Sequence, residues 1–108
     1  MLLVTGGSPG LGAASSLTEV YNLSLGVTFR WRYAGELPSP RWGLRSAVLG
    51  GVIHVSGGQQ GEGGDLTASS EVLSWNSTTE AWDLAGRMDR SRYLHALTVA
   101  PSFCTPSL

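Results

Sequence analysis

Seven arginines carry all the side-chain basic charge of this 108-residue chain, which has no lysine. Four of them, Arg41, Arg45, Arg90 and Arg92, lie close to aromatic residues, in the pairs Arg41-Trp42 and Arg92-Tyr93. A guanidinium presents a planar fork of donors that matches a carboxylate, and a neighbouring aromatic can anchor a partner. The chemistry of this set is recognition of an acidic group. His54, His95 and Cys104 complete the inventory of soft ligands and nucleophiles. They show no paired spacing, so no metal site is expected. No nucleophile–base–acid set stands out, and the chain is not expected to be an enzyme. Asp89 reads as a solvated loop pairing with Arg90 and Arg92.

A second motif could do chemistry. Val4-Thr5-Gly6-Gly7-Ser8-Pro9-Gly10-Leu11-Gly12 follows an apolar strand stub, and Ala13-Ala14 could begin a helix. This resembles the TGxxxGxG nucleotide loop of short-chain dehydrogenases, whose glycines let the backbone reach a pyrophosphate at a helix N-terminus. A nucleotide-binding enzyme fragment using Thr5–Gly12 is therefore an alternative reading. Against it, the Tyr-x-x-x-Lys of that family cannot exist without lysine. The chain is also too short and too strand-rich for the βαβ units of a dinucleotide fold. No cofactor is expected.

Charge is nearly balanced, at seven basic against eight acidic residues. That argues against nucleic acid or an acidic membrane surface as partner. No segment approaches the roughly 20 apolar residues of a membrane span, and Met1–Val4 lacks the basic flank and length of a signal peptide. One cysteine allows no internal disulfide, which leans towards a reducing, cytoplasmic setting. Asn22-Leu23-Ser24 and Asn76-Ser77-Thr78 are acceptor sequons, so Asn22 and Asn76 are possible glycosylation sites if the protein is secreted.

The elements that must position these residues follow from an internal repeat. Shifted by 51 positions, Gly6-Gly7 falls on Gly57-Gly58, Val4 on Val55, Trp31 on Trp82 and Ala34-Gly35 on Ala85-Gly86. Leu37 falls on Met88, Arg41-Trp42 on Arg92-Tyr93 and Val48 on Val99. The middle is less regular: Tyr21-Asn22 matches Trp75-Asn76 at offset 54, or Glu19-Val20 matches Glu71-Val72 at offset 52. The composition, with 15 glycines, suits short strands and tight turns. Strands are expected near Leu2–Thr5, Thr18–Asn22, Thr28–Tyr33, Ser46–Leu49, Val52–Ser56, Glu71–Asn76, Ala81–Leu84 and Leu94–Val99. Leu49-Gly50-Gly51-Val52 is a hairpin signal, and Asn76–Glu80 a polar turn. Pro38 and Pro40 are expected to break any element after Leu37. Gln59–Ser70 reads as a loop, and Ala13–Leu23 could tolerate a helix.

These landmarks resemble the kelch repeat. The second copy reads Val52–Gly58, then Glu71–Asn76, then Trp82, Met88 and Arg92, with Trp75 and Trp82 seven residues apart. The first copy departs from this, since Tyr21 and Trp31 are ten apart. The resemblance implies an all-β fold: a kelch-type β-propeller fragment of about two four-stranded antiparallel blades in permuted order. It divides the chain into a first repeat over 1–45, a second repeat with the first strand of the next blade over 46–100, and a short tail over 101–108. Two blades cannot close a ring, so additional propeller blades are expected.

The function that the resemblance implies is a protein-interaction module, such as a substrate adaptor or an actin-associated scaffold. Partners in that family dock on blade-end loops, here Ala34–Gly43 and Ala85–Tyr93 beside Ser8–Ser16 and Gln59–Ser70. Arg41, Trp42, Arg45, Arg90, Arg92 and Tyr93 would then face another protein, of which an acidic peptide is the best fit. Arg41 and Arg92 match across the repeat, which fits a role in the scaffold as well; Arg45 and Arg90 have no counterpart and are freer for binding.

Overall fold

The computed structural model describes residues 1–8, 13–21, 31–60 and 67–100. It is all-β, with eight strands and no helix among the described residues. Strands β1 (Leu2–Thr5), β2 (Ser15–Tyr21) and β3 (Arg32–Trp42) form one antiparallel blade. Strands β4 (Arg45–Leu49), β5 (Val52–Ser56), β7 (Thr67–Asn76) and β8 (Ala81–Arg92) form a second, with four strands. The two-residue β6 (Gln59–Gln60) bridges them, pairing with Arg41-Trp42 of β3 and with the start of β7.

The hairpin between β4 and β5 is the one expected, with Gly50 and Gly51 at φ 59° and 78°. Such a turn needs positive φ at both central positions, where a Cβ is strained. The polar turn after Asn76 also forms. Asn76 Oδ1 accepts from the backbone N–H groups of Thr78 and Thr79, at 2.9 and 3.1 Å.

The structure resolves the ambiguous middle of the repeat. Val4 opposes Glu19 in the first blade, and Val55 opposes Leu73 in the second. Val4 to Val55 is 51 residues and Glu19 to Leu73 is 54, so the longer offset holds and Tyr21 corresponds to Trp75. The hydrogen bonds repeat in the same way. Gly6 N donates to Leu17 O and Gly57 N to Glu71 O, at 3.1 and 2.9 Å. Gly7 N donates to Arg41 O and Gly58 N to Arg92 O, both at 2.8 Å. Ser15 N donates to Gly7 O and Ser69 N to Gly58 O, again at 2.8 Å.

Five expectations are corrected. Pro38 and Pro40 do not end β3. Leu17 pairs with Glu36 but Ser15 pairs with Arg41, so the extra residues of β3 bulge out between the two pairs. Proline lacks an N–H, and a bulge asks for none. A matching bulge in β8 separates Arg87 from Arg92, so Ala85–Arg92 is strand and not a free loop. Ala13–Leu23 contains β2, which pairs on both sides, and not a helix. Within Gln59–Ser70, β6 and the start of β7 are ordered ladder. Leu94–Val99 forms no strand, because no described strand lies alongside to pair with it.

The core lies between the blades. Leu37, Val55, Leu73, Trp75 and Trp82 form its buried cluster, with Leu3, Ala34, Leu44 and Ile53 packed against it. Trp75 and Trp82 meet at 5.1 Å between ring centroids, tilted by 59°. Aromatic pairs favour such tilted contacts. Trp82 Nε1 also crosses the interface to donate to the fully buried Thr18 Oγ1 at 2.9 Å. Trp82→Phe keeps most of the ring's apolar area and deletes this donor. It is expected to cost about 1–2 kcal/mol, measured by urea unfolding followed through tryptophan fluorescence.

Candidate functional site

The six residues expected to bind a partner separate into two groups. Arg41 is 1% exposed. Its Nη1 donates to Ser69 Oγ at 3.2 Å and to Gly57 O at 3.4 Å. Its Nη2 donates to Ser39 Oγ at 2.9 Å and to Glu71 Oε1 at 2.7 Å. Arg41 thus reaches from β3 into the second blade and locks the two together. A guanidinium so enclosed cannot touch a partner, which removes Arg41 from the candidate surface.

The other five are at the surface, where β3 and β8 end. Trp42 and Tyr93, equivalent across the repeat, pack edge to face with centroids 5.6 Å apart. The backbone around them is repeated too: Gly43 and Leu94 both have positive φ, 70° and 53°, and Leu94 N donates to Gly43 O at 2.7 Å. Arg45, at the start of β4, donates from Nε to His95 O at 2.5 Å and from Nη1 to Leu44 O at 3.4 Å. Arg90 and Arg92 are exposed on β8. The expected pairing of Asp89 with Arg90 or Arg92 is not among the ion pairs of the described residues. No carboxylate therefore meets Arg45, Arg90 or Arg92 within the described residues.

His95, not among the six residues expected to bind, accepts from Arg45 through its carbonyl and lies in the field of Arg92. Its Nε2 shares a 2.7 Å hydrogen bond with Ser56 Oγ, and its buried Nδ1 has no partner. Burial, then the charges of Arg45 and Arg92, hold its pKa below the ordinary 6.5. The folded state therefore favours the neutral ring. Its contribution to stability is fully present above the unfolded-state pKa and is lost as pH falls below about 6.5. His95→Gln is expected to flatten that limb of a stability–pH curve taken by thermal melting.

His54 lies apart, donating from Nδ1 to Val52 O at 3.1 Å within β5. Among the described residues no cluster of three or more His, Cys, Asp or Glu side chains could hold a metal. Among the described residues there is no helix long and apolar enough to cross a membrane. Asn76 spends its carbonyl on the turn described above and places Nδ2 3.4 Å from Asp83 Oδ2. Asn22 and Cys104 lie outside the described residues. So do Pro9–Gly12, half of the glycine loop. The segment after that loop is the strand β2, where a nucleotide loop would require a helix N-terminus.

No family model matches the chain. Over 100 residues, 91% of its length, it is 30% identical to Kelch-like protein 34 of Homo sapiens. The chain spans about 15% of that relative. The similarity agrees with the architecture, an all-β fragment of β-propeller type built from antiparallel blades.

Proposed function

We propose that the chain is a kelch-type repeat segment that acts as a protein-interaction scaffold, completed by further blades. Its contact surface is the group formed by Trp42, Arg45, Arg90 and Tyr93, and the ligand is an acidic peptide. The observation that carries this reading is the exposure of two arginines without a carboxylate partner, Arg45 three residues after Trp42 and Arg90 three before Tyr93, where those two rings pack together. Arg45 and Arg90 have no counterpart in the other copy, where Ala96 and Ser39 stand. The scaffold therefore does not require their charge. The reading assigns no reaction to the chain.

A labelled oligoglutamate peptide is expected to bind with an affinity that falls as salt rises, because the contacts are exposed and screened. Arg45→Ala with Arg90→Ala should weaken it by about tenfold, at roughly 0.5–1 kcal/mol per exposed charge. Unchanged affinity in the double variant, with unchanged circular dichroism, would remove the surface from consideration.

A further inference from the structure

Blade one shows how one blade receives the next, and blade two repeats its receiving face, where the described residues bring only Leu97–Ala100 near Val72 and leave the β8 side uncovered. Gly35 of β3 lies so close to the second blade that a Cβ would meet Glu80 O at 2.8 Å; its counterpart Gly86 on β8 has nothing within 4 Å. Leu37 is buried at 4%, while its counterpart Met88 is only partly covered. Arg41 is buried against Gly57 O, Ser69 Oγ and Glu71, while its counterpart Arg92 is exposed. Yet Arg92 has the same backbone setting. Its carbonyl accepts from Gly58 as that of Arg41 accepts from Gly7, and it pairs with Ser69 as Arg41 pairs with Ser15.

We infer that this face of β8 docks a further blade bearing a glycine pair, a serine and a carboxylate placed to meet Arg92, and that it excludes a second copy of this chain. The inference rests on the reading that more blades complete the module. It names the chemistry by which the next one is selected.

The exclusion follows from the residues that a second copy would present. Its first blade offers Gly6-Gly7 and Ser15, which match Gly57-Gly58 and Ser69. At the position of Glu71, however, it carries Leu17. Arg92 would be buried against leucine, and an uncompensated buried charge is strongly unfavourable. At the position of Leu73, 1% exposed in this structure, it carries Glu19. At the position of Thr18, which accepts from Trp82, the receiving face carries Val72, so Trp31 of the incoming copy would find no acceptor. Head-to-tail stacking of identical copies propagates into filaments when it does not close, and these mismatches oppose it.

The test repairs the mismatch. Leu17→Glu, Glu19→Leu and Glu36→Arg together transplant Glu71, Leu73 and the Arg87 that opposes Glu71, all at exposed positions. By sedimentation velocity the unaltered chain is expected to stay monomeric. The triple variant is expected to associate at least about tenfold more strongly, as one charge-assisted pair allows. Adding Arg92→Glu should return it to monomer. Head-to-tail association of the unaltered chain would overturn the inference whatever the variant does. So would a folded triple variant that stays monomeric, or one whose association survives Arg92→Glu. The underlying reading fails differently: the unaltered chain alone would exchange the amides along the free side of β8 as slowly as those of β7, which pairs on both sides.

Discussion

Arg41→Ala is expected to lower the unfolding free energy by about 3 kcal/mol, the low end for breaking a buried ion pair. Arg41 is 1% exposed and Glu71 is 22% exposed, so the variant leaves a largely desolvated carboxylate behind. The substitute partner, Arg87 Nη2, stands 3.7 Å from Glu71 Oε2 and is itself exposed, so it compensates only weakly. Ser69 Oγ and Gly57 O lose a donor in the same step. A double-mutant cycle separates the pair from the packing: Arg41→Met with Glu71→Met should cost less than the sum of the single changes. Arg41 Nε is already buried without a partner, which lowers what its removal costs. Urea unfolding, read through Trp75 and Trp82, is the measurement.

The second large effect is expected at Gly57. Its φ is 64°, and a Cβ there would run into the backbone carbonyl oxygen of Arg92 and come within 2.8 Å of His95 Cε1 and 3.2 Å of Met88 Cε. That carbonyl is already held by Gly58 N at 2.8 Å, so it cannot move without breaking the bond that ties β8 to the end of β5. Gly57→Ala should therefore cost about 3 kcal/mol or more, combining the left-handed backbone penalty with a clash against fixed backbone. Gly7→Ala provides the contrast. Its φ is 91°, but nothing lies within 4 Å of the added Cβ. Only the backbone term applies, about 1–2 kcal/mol. Equal losses for the two variants in the same denaturation assay would mean that close approach plays no part in the glycine pair.

Much of the architecture was legible because it rests on residues with few substitutes. The glycine pairs, the tryptophans and the Gly50-Gly51 turn mark positions where only φ, ring area or turn type will serve. The offset of 51 aligned them and gave the blades. The middle register was not legible, because the residues between Tyr21 and Trp31 outnumber those between Trp75 and Trp82, and each copy offers a Glu-Val pair as decoy. Ladder hydrogen bonds at Gly6, Ser15, Gly57 and Ser69 decide it for offset 54. Pro38 and Pro40 were misread because proline signals a break, whereas a bulge accommodates a missing N–H inside a strand. Arg41 was half legible: its match to Arg92 pointed to the scaffold. Its partner Glu71, 30 residues away, did not stand out, since the first copy has Leu17 at that position.

The candidate site was legible as residue types and not as a surface. Trp42 and Tyr93 were named separately, and the fold puts them in contact. His95 has no paired metal-ligand spacing in the sequence, and nothing there marks it as part of a site. In the fold it bonds Ser56 within the scaffold, but it also joins Arg45 and lies in the field of Arg92, relations that no local spacing encodes.

The central claim is that two blades repeat one hydrogen-bond plan, at 51 residues for the strand before each glycine pair and 54 for the strand that pairs with it. Cross-strand nuclear Overhauser contacts test it most directly. The predicted result is a Val4–Glu19 contact beside a Val55–Leu73 contact, together with one from the Trp82 indole N–H to Thr18 across the blades. Contacts of Val4 with Tyr21, the register that the 52-residue offset would give, or a Trp82 indole that exchanges freely with water, would contradict it.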